Sequence, residues 1–249
     1  MNPSNGSLHY DGRRLGFSFL LYPTTKNVIP VHLIIALGIA SSLSLGNTAH
    51  ATPALNKLTA YMQAEDLYEQ GFNKIKMQNY QEAIASLDLS LQLNPAYAPA
   101  YISRGFARLA LTDHQGAIQD YTRAISIEPK LAEAYVGRGD ARQAIGDQQG
   151  AIDDFNQALQ IDPKNSEAYY NRGIVQDSLG DEQRAIVDFS QAIRTNSGFA
   201  EAYANRGIVR LRLGQQEGLK DLHRAASLFL SQGDRTQYQQ TLDLIKNSQ

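Results

Sequence analysis

Apolar and polar positions between residues 64 and 231 return every 34 residues, and within each period they follow helical spacing. Gly71, Gly105, Gly139, Gly173 and Gly207 set the register. Four places before the glycine stand Tyr101, Tyr135, Tyr169 and Tyr203, with Leu67 in the first copy. Twelve places after it come Ala83, Ala117, Ala151 and Ala185, and sixteen after it Leu87, Tyr121, Phe155 and Phe189. Three further on stand Ser90, Ala124, Ala158 and Ala192. Tyr135, Gly139 and Arg142, at i, i+4 and i+7, predict one helix; Ala151, Phe155, Ala158 and Leu159 predict a second. Gly146-Asp147 separates the two, and Pro95, Pro129 and Pro163 turn the preceding residue away from helix. A glycine inside a helix costs about 1 kcal/mol against alanine. Its recurrence therefore predicts two helices in close approach.

The pattern defines five copies, at 64–97, 98–131, 132–165, 166–199 and 200–231. In the fourth, Ser197 replaces the proline, and Gly198 is expected to supply the turn. The fifth is one residue short: Leu222 lies 15 places after Gly207, with the deletion near Gly218. Residues 234–248 predict a last amphipathic helix, with Asp234 as N-cap and Tyr238, Leu242 and Ile245 on one face, covering the final copy. Residues 52–63 form either a linker or an N-terminal cap using Leu55, Leu58 and Tyr61.

Residues 1–51 lie outside the period. The apolar run 31–45 follows Lys26 and precedes Ala49-His50-Ala51, which predicts a secretory signal peptide cut after Ala51. The run is shorter than the ~20 residues that span a bilayer. The alternative is an uncleaved membrane anchor.

The spacing Tyr-x3-Gly-x11-Ala-x3-Tyr/Phe-x2-Ala-x4-Pro, with its Gly-Asp turn, closely resembles the tetratricopeptide repeat over roughly residues 64–231. The chain is similar to exported repeat proteins of bacteria, including cyanobacteria. The resemblance implies an all-α fold, a right-handed α-solenoid of about five hairpins with a C-terminal capping helix. The first helices would line a concave groove that binds a peptide or another protein. By the same resemblance the groove is lined by Tyr68, Phe72 and Ile75; Ile102, Phe106 and Leu109; Val136, Asp140 and Gln143; Tyr170, Ile174 and Asp177; and Ala204, Ile208 and Leu211. That lining is apolar in the first two copies and partly polar in the third and fourth, which suits apolar anchors at one end of a partner. Packing between adjacent first helices is the alternative for Tyr68, Phe72, Ile102 and Phe106. Asn171 and Asn205 lack the cations needed to grip a C-terminal carboxylate.

A second recurrence involves charge. Arg104, Arg138, Arg172 and Arg206 precede the glycine, and Asp120, Asp154, Asp188 and Asp221 precede the large apolar residue. In copy one both are absent, replaced by Gln70 and Ser86. Positions that change together predict an arginine–aspartate pair across each hairpin, either a structural ion pair fixing register or a row of anion sites.

Composition removes several other readings. Without cysteine there is no disulfide, thiolate metal site or cysteine nucleophile. The net charge of −2 offers no basic face for nucleic acid. Of the five histidines, His9, His32 and His50 fall in the leader, while His114 and His223 stand apart with no metal-binding spacing. No catalytic constellation, cofactor or metal site is expected. The expected function is a non-enzymatic scaffold, exported to a periplasm or thylakoid lumen, that binds a protein or peptide. The alternative is a membrane-anchored assembly factor, with membrane contact only if the leader stays in place.

Overall fold

The computed structural model describes residues 48–248, so the apolar run 31–45 and most of the leader lie outside the described residues. The described chain is all-α: eleven helices and no strand among the described residues. It divides at Lys130 into two compact units, 48–129 and 130–248.

The first unit holds α1 (Thr48–Lys76), α2 (Tyr80–Leu93), α3 (Ala98–Ala110) and α4 (His114–Ile127). α1 packs on α2 and α3 on α4, with α2 also against α3. α1 is a single helix of 29 residues, and 52–63 is part of it. Leu58 is buried, while Leu55, Tyr61 and Met62 are exposed.

The second unit holds α5 (Ala132–Ala144), α6 (Gln148–Ile161), α7 (Ser166–Ser178), α8 (Glu182–Thr195), α9 (Ala200–Arg212), α10 (Glu217–Ser231) and α11 (Arg235–Asn247). Here too each hairpin packs on the next in chain order, and α11 closes against α10. The Asp234 side chain accepts from the Gln237 amide and starts α11. Phe229, Ala200, Ala204 and Ala225 form a buried cluster against which Tyr238 of α11 packs.

The recurring glycines sit where the helices of a hairpin cross. A Cβ built on Gly139 would lie 2.6 Å from the Phe155 ring, and one on Gly173 2.8 Å from that of Phe189. A side chain there would force the ring or the facing helix to shift, an overpacking cost of about 1–3 kcal/mol that glycine avoids. In the shortened fifth copy, Gly218 takes the alanine's place. A Cβ there would meet the Gly207 carbonyl oxygen at 2.5 Å.

Helix ends are set locally. Asp113, Asp147 and Asp181 cap α4, α6 and α8 by accepting from the amides of Gly116, Gly150 and Arg184. Before each proline, Asn94, Glu128 and Asp162 leave the helical region with ψ of 87, 91 and 94°. Asn196 adopts the same conformation, ψ 94°, with no proline behind it. Gly198 stands in the turn at 197–198, as expected, and the Phe199 amide closes that turn on the Asn196 carbonyl at 3.2 Å. The Gly198 amide also donates to the Asn196 side chain at 3.1 Å, a local Asx turn.

Candidate functional site

Each hairpin from the second copy onward is clamped by a guanidinium–carboxylate contact. Arg104 meets Asp120 through Nε at 3.0 Å and Nη2 at 2.6 Å. Arg138 meets Asp154 at 3.0 and 2.7 Å, Arg172 meets Asp188 at 2.7 and 2.7 Å, and Arg206 meets Asp221 at 2.9 and 2.6 Å. All four aspartates are buried, and the two-point geometry gives each pair direction as well as charge. The third nitrogen reaches the preceding second helix: Arg104 donates to Asp88, Arg172 to Asn156 and Arg206 to Ser190. Each of these three arginines thus ties its own hairpin to the one before. With their donors taken up internally, they present no open row of anion sites.

The clamp has a member that pair-spotting missed. Arg108, Arg142 and Arg210, three places after the glycine, place Nη1 on the same aspartates at 2.7, 2.8 and 2.7 Å. The signal was available at the repeat interval, since the series reads Lys74, Arg108, Arg142, Gln176, Arg210. In copy one, where the aspartate is Ser86, Lys74 donates to its hydroxyl at 3.0 Å. In copy four, Gln176 leaves its Oε1 buried without a hydrogen-bond partner.

The expected groove lining separates into two groups. In the first unit Ile75 is fully buried, and Tyr68, Phe72, Ile102 and Phe106 are 9% exposed or less. Tyr68 stacks on Phe72 with ring centroids 6.0 Å apart and meets Tyr97 edge-on at 5.2 Å, while Phe106 meets Tyr80 at 6.3 Å. Tyr68, Phe72, Ile75 and Phe106 belong to one core cluster with Leu87 and Leu91. The expectation that these four side chains and Ile102 line an open groove is corrected. Large apolar rings gain more from packing on one another than from facing water. Leu109 alone of that set is half-buried.

Tyr170 of the second unit is corrected likewise. It is 2% exposed, and it accepts a hydrogen bond from Asn205 at 2.9 Å. Val136 and Ala204 are also buried. What remains partly accessible on the first helices is Asp140 and Gln143 on α5, Ile174 and Asp177 on α7, and Ile208 and Leu211 on α9. Asp177 is held by Arg212, which also reaches Glu182 at 2.6 Å.

Asp140 is the least ordinary group on this face. Asn171 Nδ2 donates to its Oδ1 at 2.7 Å, linking α7 to α5. Burial pushes its carboxyl up to about 7, against which the Asn171 hydrogen bond works downward. Glu167, one helical turn before Asn171, is pushed up to about 8, first by burial and then by the negative charge of Asp140. Neither Glu167 nor its partnership with Asp140 was legible from spacing alone.

Comparison with known proteins agrees with this architecture. Tetratricopeptide-repeat family profiles match residues 67–97, 98–131 and 166–198, and a second TPR profile matches 139–180. Among solved structures, MamA is 25% identical, with a TM-score of 0.59 over 66% of this chain and 96% of its own. A thermophilic TPR protein of Thermus thermophilus is 18% identical, with a TM-score of 0.62 over 72% of this chain and 98% of its own. YrrB, described as a TPR protein with an unusual peptide-binding site, is 18% identical, with a TM-score of 0.55 over 72% of this chain and 90% of its own. No curated protein matches the sequence.

Proposed function

Because the chain belongs to the tetratricopeptide repeat family, we propose that it is a non-enzymatic scaffold that docks a peptide or protein on the first-helix face of α5, α7 and α9. What supports this reading is that Ile174 on α7 and Ile208 and Leu211 on α9 stay half-buried, as does Gln143 on α5, while the Asp140–Asn171 hydrogen bond joins α5 to α7. Apolar anchors beside fixed polar groups are what a docking groove needs. Helices clamped by buried ion pairs also offer that face with little conformational entropy left to lose. The apolar positions of α1 and α3, being core, are not part of the proposed surface.

A photo-crosslinking amino acid at Ile174, with Val187 on α8 as control, tests the proposal. Val187 is 57% exposed and lies on a second helix. A discrete adduct is expected from position 174 and none from 187. The captured partner, purified and titrated, is expected to bind Ile208→Asp at least about tenfold more weakly, as loss of one buried anchor implies. Equal adducts from both positions, or unchanged affinity, would remove this face from consideration.

We further propose export, to a periplasm or thylakoid lumen, supported by the run 31–45 and its basic flank. Retention of the leader as an anchor would instead make the protein a membrane-tethered assembly factor. No described helix is long and apolar enough to cross a membrane.

A further inference from the structure

Two carboxylates, Asp140 on α5 and Glu167 on α7, interact electrostatically where the third hairpin meets the fourth. Asp140 projects from α5 and is tied by its Oδ1 to Asn171 of α7 at 2.7 Å. Glu167 lies four residues before Asn171, and residues so spaced on a helix are neighbours on one face, their Cβ atoms about 5–6 Å apart. One amide thus bridges the helices, and a second acid shares its face of α7.

The surrounding charges do not relieve this pair. On α5, Arg138 and Arg142 turn to Asp154 of α6. On α7, Arg172 turns to Asp188 of α8 and to Asn156 of α6, while Asp177 is taken by Arg212 of α9. Glu182 of α8 shares that Arg212, and Arg206 and Arg210 of α9 are engaged by Asp221. Further acids, Glu133 and Glu201, occupy in α5 and α9 the repeat position that Glu167 occupies in α7.

We propose that the α5–α7 junction is a pH-sensitive contact, in which Asp140 and Glu167 accommodate one negative charge between them and ionisation of both loosens α7 from α5. The sign follows from linkage. A carboxyl raised above its unfolded value of about 4 contributes stability that is present at low pH and lost as pH rises through the folded value. With Asp140 near 7 and Glu167 near 8, the loss accumulates up to about pH 8 and levels off above it. A contact of this kind would stiffen the proposed docking face in mildly acidic surroundings and relax it in alkaline ones.

The experiment compares thermal unfolding of the full chain with that of the Asp140→Asn/Glu167→Gln variant from pH 5 to pH 9. Other titrating groups act equally on both proteins, so the difference isolates the pair. The unmodified chain is expected to lose at least about 5 °C relative to the variant over that range, a few degrees being the usual response to each kcal/mol in a protein of this size. Parallel profiles would overturn the proposal. Should the variant fold poorly, carboxyl carbon NMR of the unmodified chain decides the matter: two coupled steps above pH 6 uphold it, and ordinary titration of both groups below pH 5 overturns it. Both readouts use the free protein, so a negative result leaves the docking role standing.

Discussion

Asp154 shows how much a single residue can organise. It is buried, and it accepts from Arg138 at two points and from Arg142 at a third, so that one carboxylate orients two side chains of the facing helix. Taking so polar a group out of water is costly unless every acceptor site is filled, and here the second arginine helps to fill them. Copy four departs from this rule: Gln176 stands where Arg142 stands in copy three. Asp188 accepts from Arg172 at two points, while the Gln176 amide oxygen is buried without a hydrogen-bond partner. Gln176→Arg is therefore expected to add a charge-assisted hydrogen bond and remove an unsatisfied oxygen, raising stability by about 1 kcal/mol. Denaturant unfolding measures this, and an unchanged midpoint would mean that the fourth hairpin does not admit a second guanidinium at Asp188. The pairing of arginine with aspartate could be read from covariation among the copies. The second arginine does not covary with the aspartate, since copy one keeps Lys74 beside Ser86 and copy four has Gln176 with Asp188; it shows only as a cation that recurs at the repeat interval.

At the scale of the element, the turn within each hairpin repeats a left-handed backbone residue. Gly146, Gly180 and Gly214 supply it at φ of 84, 80 and 75°, and glycine bears that conformation without strain. Gln78 and Thr112 hold the same place at φ of 61 and 63°. For a β-branched residue this is unfavourable, because its Cβ crowds the backbone. Thr112 is exposed. Thr112→Gly is accordingly expected to stabilise the second hairpin by about 1 kcal/mol, the relief of strain outweighing the entropy that glycine adds to the unfolded chain. Equilibrium unfolding checks this; a loss of stability would show that the threonine side chain is worth more than its strain. The helices themselves were legible, since their periodicity, caps and prolines are all local signals. The turn after copy four was legible too, with Gly198 inside it. The Asn196 side chain that accepts from the Gly198 amide carries no signal in the repeat pattern.

Across the whole chain, α1 is the element whose extent composition conceals. Its backbone is helical from Thr48, so that Pro53 falls inside the helix, where a proline lacks its amide and crowds the preceding turn. Cutting after Ala51 would leave Thr52 at the start and Pro53 in the first turn, where its missing donor has no helical partner to lose. If the protein is exported as proposed, the mature chain is expected to begin at Thr52. Intact mass measurement of protein recovered from its native compartment tests this, and retention of residues 1–51 would favour the anchored alternative.

The repeat length, the hairpin boundaries, the small-against-large packing and the arginine–aspartate register were all set by the order of residues along the chain. Each depends on neighbours a few positions away or on an exact recurrence at 34. Which apolar positions on the first helices are core and which are surface was decided only in three dimensions. Tyr68, Phe106 and Tyr170 occupy places that position within the repeat assigns to a groove, yet their rings meet other rings and are withdrawn from water. The raised carboxyls of Asp140 and Glu167 also belong to tertiary structure. Their burial and mutual repulsion arise between helices whose residues stand 27 apart in sequence, and no local pattern records that distance.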